Sequence, residues 1–79
     1  MRLDKYLKVS RLIKRRTVAN EACDAGRISV NGKPARASYE VKPGDRLCIQ
    51  LGAHEVTAEV VSVQETVSKT DASLMYRIV

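Results

Sequence analysis

The chain has 79 residues, 44% of them hydrophobic and 29% charged, with a formal net charge of +5. That length holds one small domain, and that composition argues against a disordered chain. No run of about eighteen apolar residues is present to span a membrane, and the opening Met1-Arg2-Leu3-Asp4-Lys5 lacks the apolar core of a signal peptide, so a cytoplasmic protein is expected.

Residues 2–9 read as a first short helix. Leu3, Tyr6, Leu7 and Ser10 form one stripe at helical spacing, with Asp4, Lys5 and Lys8 assigned to the opposite side. Ser10 to Lys14 is a connection anchored by Leu12 and Ile13. A second helix is expected from about Arg15 to Ala25, its apolar arc being Val18, Ala19, Ala22, Cys23 and Ala25, with Arg16 beside Asn20 on the polar side. Gly26 is the left-handed stop of that helix. Ile28 to Val30 and Lys33 to Ala37 then make a hairpin around Asn31-Gly32, both of which accept positive φ. Pro34 donates nothing to a ladder, so the return strand belongs at an edge.

Lys42-Pro43-Gly44-Asp45 is a turn of the type II pattern. A strand follows from Arg46 to Leu51, with Leu47, Ile49 and Leu51 inward, and another from Glu55 to Val63. A helical turn is expected around Asp71 to Met75, and Tyr76 to Val79 reads as a last strand. The fold class is α+β, two N-terminal helices packed on a small, mostly antiparallel sheet. The whole chain, 1–79, reads as a single domain.

Charge is unevenly spread. Through Arg46 there are twelve Lys/Arg against five Asp/Glu, and beyond it two against four. A basic half joined to an acidic half points to a face built for a polyanion. Arg2, Arg11, Lys14, Arg15, Arg16, Arg27 and Lys33 are the candidate phosphate-binding cations, Arg supplying a planar fork and Lys a point charge. The start of the second helix adds backbone donors and a favourable dipole. Thr17 either caps that helix or donates to a phosphate, and Asn31 either contacts RNA or serves the tight turn. Asp4 is assigned to orienting Arg2 or Arg16, and Tyr6 to the core. Lys5, Lys8 and Lys42 are left open between contact and solvation; Arg36, Arg46, Lys69 and Arg77 are read as solvated surface.

Three function classes are in contention. An enzyme is disfavoured, because the carboxylates form no evident pair, His54 has no nucleophile beside it and no glycine-rich phosphate loop is present. A DNA-binding helix-turn-helix would want base-reading side chains where the second helix carries Ala, Val and Cys. RNA binding by phosphate contacts and shape is preferred, and few aromatics argues for structured over single-stranded RNA. Cys23 and Cys48 form no CxxC or Cys/His cluster and are expected as reduced thiols. No cofactor or metal is expected.

The ordered motifs carry a resemblance. Arg2-Leu3-Asp4 with Leu7, Ser10-Arg11, Lys14-Arg15-Arg16-Thr17 and Ala19, then Gly26 to Lys33 and Val41 to Asp45, are similar to the S4-type RNA-binding domain over about residues 1–50, with residues of about 51–79 completing the sheet. Among stand-alone members, the stretch from Arg2 to Thr17 and the Ala72-Ser73-Leu74-Met75-Tyr76 tail look most like the RqcP group of ribosome quality-control factors. That resemblance implies binding to a large ribosomal subunit obstructed by peptidyl-tRNA, with large-subunit rRNA, peptidyl-tRNA and an RqcH-type factor as partners, in support of alanine tailing of the stalled chain. A monomer is expected. The second reading is the heat-shock S4 protein, which also binds obstructed large subunits; its longer basic C-terminal extension has no counterpart after Val79, which favours the first.

Overall fold

The structure, a computed structural model, describes residues 1–64, 72 and 74–79. Two helices, α1 (Leu3–Val9) and α2 (Arg16–Asp24), precede five strands: β1 (Ile28–Val30), β2 (Lys33–Pro34), β3 (Arg46–Leu51), β4 (His54–Val60) and β5 (Tyr76–Ile78). The strands form one sheet in the order β2-β1-β3-β4-β5, every pairing antiparallel. The Pro34 strand is indeed an edge, and β2 is only two residues long, shorter than the expected return to Ala37.

Register follows from which side chains must be covered. Ile28 lies opposite Ile49 and Val30 opposite Leu47, so both strands send their apolar residues to the face beneath the helices. Leu3, Tyr6, Leu7, Ile28 and Leu47 are fully buried there. Each such aliphatic side chain contributes about 1.5–3 kcal/mol of burial. Ala19, Ala22 and Cys23 line the inner side of α2, and their small size lets the two helices approach closely. Both cysteines are free, and burial pushes the Cys23 thiol up to about 11.

Some expectations about facing are corrected. Asp4 is not on an outer side: it is 2% exposed. Because α1 touches both the sheet and α2, its covered arc is wider than one stripe and takes in the Asp4 flank. Val18, Ala25 and Leu51 are exposed rather than inward. The seam between α1 and α2 is narrow enough for alanines to fill, which leaves Val18 and Ala25 outside it. Leu51 extends past Ile49, the last β3 residue paired with β1, and is left 42% exposed. β4 stops at Val60 instead of Val63, because the amides of Val61 and Ser62 leave the ladder to donate to the Met75 carbonyl (2.8 and 3.1 Å). Of the helical turn expected around Asp71 to Met75, Ala72 is helical and the Met75 N–H donates to the Ala72 carbonyl (3.2 Å), while Asp71 and Ser73 lie outside the described residues.

The turns match their residues. Asn31 (φ 53°) and Gly32 (φ 86°) make the hairpin turn, and Gly44 (φ 96°) sits in the Lys42–Asp45 turn closed by an Asp45 N–H to Lys42 carbonyl bond of 3.1 Å. The end of α2 is closed on both sides of Gly26. The Gly26 N–H donates to the Cys23 carbonyl (3.0 Å) and the Arg27 N–H to the Ala22 carbonyl (2.9 Å), the paired bonds of a Schellman end. At the end of α1 the same left-handed position is filled by Arg11 (φ 65°), whose N–H donates to the Lys8 carbonyl at 3.1 Å.

Candidate nucleic-acid interface

The first turn of α1 is held by an extended segment that crosses under it. The N–H groups of Leu3 and Asp4 donate to the carbonyls of Tyr39 (2.7 Å) and Ala37 (3.2 Å), and Arg2 bridges to Glu40. This fixes Asp4 facing the start of α2. Its carboxylate accepts from Arg2 Nε (3.2 Å), Arg16 Nε (3.3 Å), Asn20 Nδ2 (3.3 Å) and the Lys5 N–H (2.8 Å). Burial works to raise the Asp4 carboxyl, but the hydrogen bonds from Asn20, Arg16, the Lys5 N–H and Arg2 outweigh it and hold the group below its ordinary value.

The consequence is a pair of anchored, half-exposed guanidinium groups. The Arg2 and Arg16 side chains are 52% and 49% exposed while the carboxylate between them is 3% exposed. Each Arg gives Nε to Asp4 and keeps donors for another acceptor. Thr17, Asn20 and Glu21 line an open cleft of about 370 Å³ with Asp4 and Arg16. Thr17 does not cap: the N-cap of α2 is Arg15, and no side chain caps the helix. The first N–H groups of α2 thus stand uncapped beside Arg16 and Thr17.

The remaining candidates divide into separate groups. Arg11 and Lys14 are exposed on the connection between the helices, and Arg15 ends it. Lys33 and Asn31 lie at the hairpin. Asn31 is largely committed there: its Oδ1 accepts the Arg46 N–H (3.0 Å) and its Nδ2 donates to Asp45 (3.1 Å), which ties the turn to the start of β3. Arg27 stands apart, exposed at the far end of α2, where it lines a mixed groove with Ile13, Val18 and Leu51. A nine-residue helix, about 13 Å long, separates it from Arg16.

Sequence reasoning missed Asn20 as a member of the Asp4 cluster, although it placed Arg16 beside it. The available signal was a lone carboxylate among cations in the first turn of a helix. No grouping of His, Cys, Asp and Glu able to hold a metal is found among the described residues, and no helix among them is long and apolar enough to cross a membrane.

Comparison with known proteins identifies the family. The S4 domain family matches residues 1–47. The chain is 58% identical to the RQC P-site tRNA stabilizing factor of Halalkalibacterium halodurans, over 99% of this chain and 89% of that protein. It is 56% identical to the protein of the same name in Bacillus subtilis, over 99% of this chain and 91% of that one. Among solved structures, Vibrio cholerae heat shock protein 15, described as trimeric, superposes with a TM-score of 0.92 at 28% identity, covering 100% of this chain and 81% of that one.

Proposed function

The chain belongs to the S4 domain family, and we propose that it acts as a non-catalytic RNA-binding factor on the large ribosomal subunit obstructed by peptidyl-tRNA, where it steadies the P-site tRNA and supports alanine tailing of the stalled chain. The observation that carries this reading is the likeness, at 56–58% identity and nearly full length, to proteins named RQC P-site tRNA stabilizing factor. The geometry of the Arg2–Asp4–Arg16 cluster is compatible with it. Two guanidinium groups held by one buried carboxylate lose little freedom on meeting a phosphate, so most of each new charge-assisted bond is retained. Arg11, Lys14, Arg15, Thr17, Arg27, Asn31 and Lys33 are assigned supporting contacts, with Asn31 acting chiefly through the shape of its turn.

Large-subunit rRNA and the peptidyl-tRNA are the proposed RNA partners, and an RqcH-type factor the protein partner that delivers alanyl-tRNA. The working unit is a monomer in the cytoplasm. The second reading, rescue of large subunits in the manner of a heat-shock S4 protein, draws on the close superposition with heat shock protein 15 at a much lower identity.

The test is sedimentation of the tagged protein from a lysate, wild type beside Arg2→Ala and Arg16→Ala, with large-subunit fractions probed for peptidyl-tRNA. Migration with obstructed large subunits, lost in both variants, is the expected result. Migration with small subunits, or at the top of the gradient, overturns the reading. Retention in both variants would remove Arg2 and Arg16 from the interface.

A further inference from the structure

The hairpin and the segment after it border a second, open concavity of about 660 Å³, whose lining includes Lys33, Pro34, Arg36, Ser38 and Tyr39. We propose that it receives one unpaired nucleotide of the bound RNA, its base stacked against the exposed part of the Tyr39 ring and its phosphate between Lys33 and Arg36. This deepens the RNA-binding reading and rests on it.

The chemistry of the lining selects this ligand. The volume is that of a small-molecule site. Tyr39 is half-buried and braced, its hydroxyl donating to Asp45 Oδ2 (3.2 Å) and its carbonyl accepting the Leu3 N–H (2.7 Å), so the ring is presented as a fixed platform. Lys33 and Arg36 are exposed and have no ion-pair partner among the described residues. Asp45, the carboxylate that holds the Tyr39 hydroxyl, is occupied by Asn31, Tyr39 and the Lys42 N–H and forms no ion pair with either. An aromatic platform flanked by two free cations matches a splayed-out base with its phosphate better than it matches a duplex, which offers no base face. Position agrees as well. Tyr39, which walls the cavity, gives its carbonyl to the Leu3 N–H, so the cavity adjoins the start of α1 that follows Arg2.

The test is NMR titration of the full chain with adenosine 5′-monophosphate, with inorganic phosphate as the control. Saturable shifts at the amides of Ala35, Arg36, Ser38 and Tyr39 with the nucleotide, and not with phosphate, are expected. Tyr39→Leu weakens the nucleotide by about tenfold through loss of stacking. Arg36→Gln, a surface change that leaves the fold alone, also weakens it. Equal shifts with inorganic phosphate, shifts confined to residues 16–20, or unchanged binding in Arg36→Gln overturn the proposal. The gradient experiment separates the two readings: a wild-type chain that sediments with obstructed subunits but ignores the nucleotide loses only the pocket. One that binds the nucleotide but never meets the subunit loses the ribosomal function.

Discussion

Asp4 and Arg16, twelve residues apart, meet at 3.3 Å across the seam between the two helices. Arg2 approaches the same carboxylate at 3.2 Å from the other side. One acidic group, withdrawn from solvent, therefore sets the spacing of two cations that face it. The relation makes Asp4 a positioning residue, since a group 2% exposed has no surface to offer RNA.

Asp4→Asn is expected to lower both stability and affinity. It removes the charge from five hydrogen bonds, three of them from two half-exposed arginines whose share is reduced by solvent. The cost is about 1–2 kcal/mol, or about 5–15 °C in Tm. The pH dependence has a defined sign. The folded-state carboxyl is held below 3.8, so its contribution is complete above that value and is lost as pH falls through the folded value. Melts of wild type and Asp4→Asn should differ fully at neutral pH and converge as the pH falls below the depressed folded-state value. A gap that persists in acid would mean that the loss is one of packing and not of charge.

Arg11→Gly should separate binding from folding. Arg11 holds the left-handed φ of 65° that glycine adopts freely, and for an L-residue that conformation costs about 1–2 kcal/mol. Glycine removes this strain and adds about 0.5–1 kcal/mol of unfolded-chain entropy. The melting temperature should be equal to that of wild type or a few degrees higher, while sedimentation with large subunits weakens. A clear fall in Tm would show that the Arg11 side chain supports the connection between the helices.

Gly32→Val should damage the fold through the backbone alone. Nothing lies within 4 Å of where a Cβ would stand, so no clash is created, but φ is 86°. A β-branched residue there costs about 2 kcal/mol, near 10 °C in Tm, whereas Gly32→Asn should cost less than half as much. Equal melts for the two variants would place the strain elsewhere in the hairpin.

These expectations trace which parts of the molecule were legible in the chain. Local signals were sufficient where a residue type has few uses: Gly26, Asn31-Gly32 and Pro43-Gly44 each occupy the turn that they imply, and the limits of β3 follow from alternation and that turn. Facing was harder. Whether Asp4 points out or in depends on α2 lying beside it, a relation that periodicity within α1 does not contain. Leu51 alternates correctly with Leu47 and Ile49, yet is exposed because β1 ends before reaching it. Arg11 in a left-handed helix end has no signal at all, since its residue type argues for something else. For the candidate interface, charge along the chain names cations without their grouping, and so sets Arg27 beside Arg16 although α2 separates them.

Tyr6→Phe isolates a single buried contact between the two ends of the chain. The Tyr6 hydroxyl donates to the Met75 carbonyl at 2.6 Å, the ring is fully buried, and burial raises the phenol well above its ordinary value. Removing the hydroxyl deletes one hydrogen bond without orphaning its acceptor, because the same carbonyl still accepts from the Val61 and Ser62 N–H groups. The loss should therefore stay near 1 kcal/mol, about 4–8 °C in Tm, and not reach the larger penalty of an unsatisfied buried group. Below the new Tm, sedimentation with large subunits should match wild type, because Tyr6 has no surface with which to stack on a base. Lost association in a folded Tyr6→Phe protein would mean that the contact between α1 and Met75 shapes the RNA-binding face, and that the C-terminal strands act in binding as well as in completing the sheet.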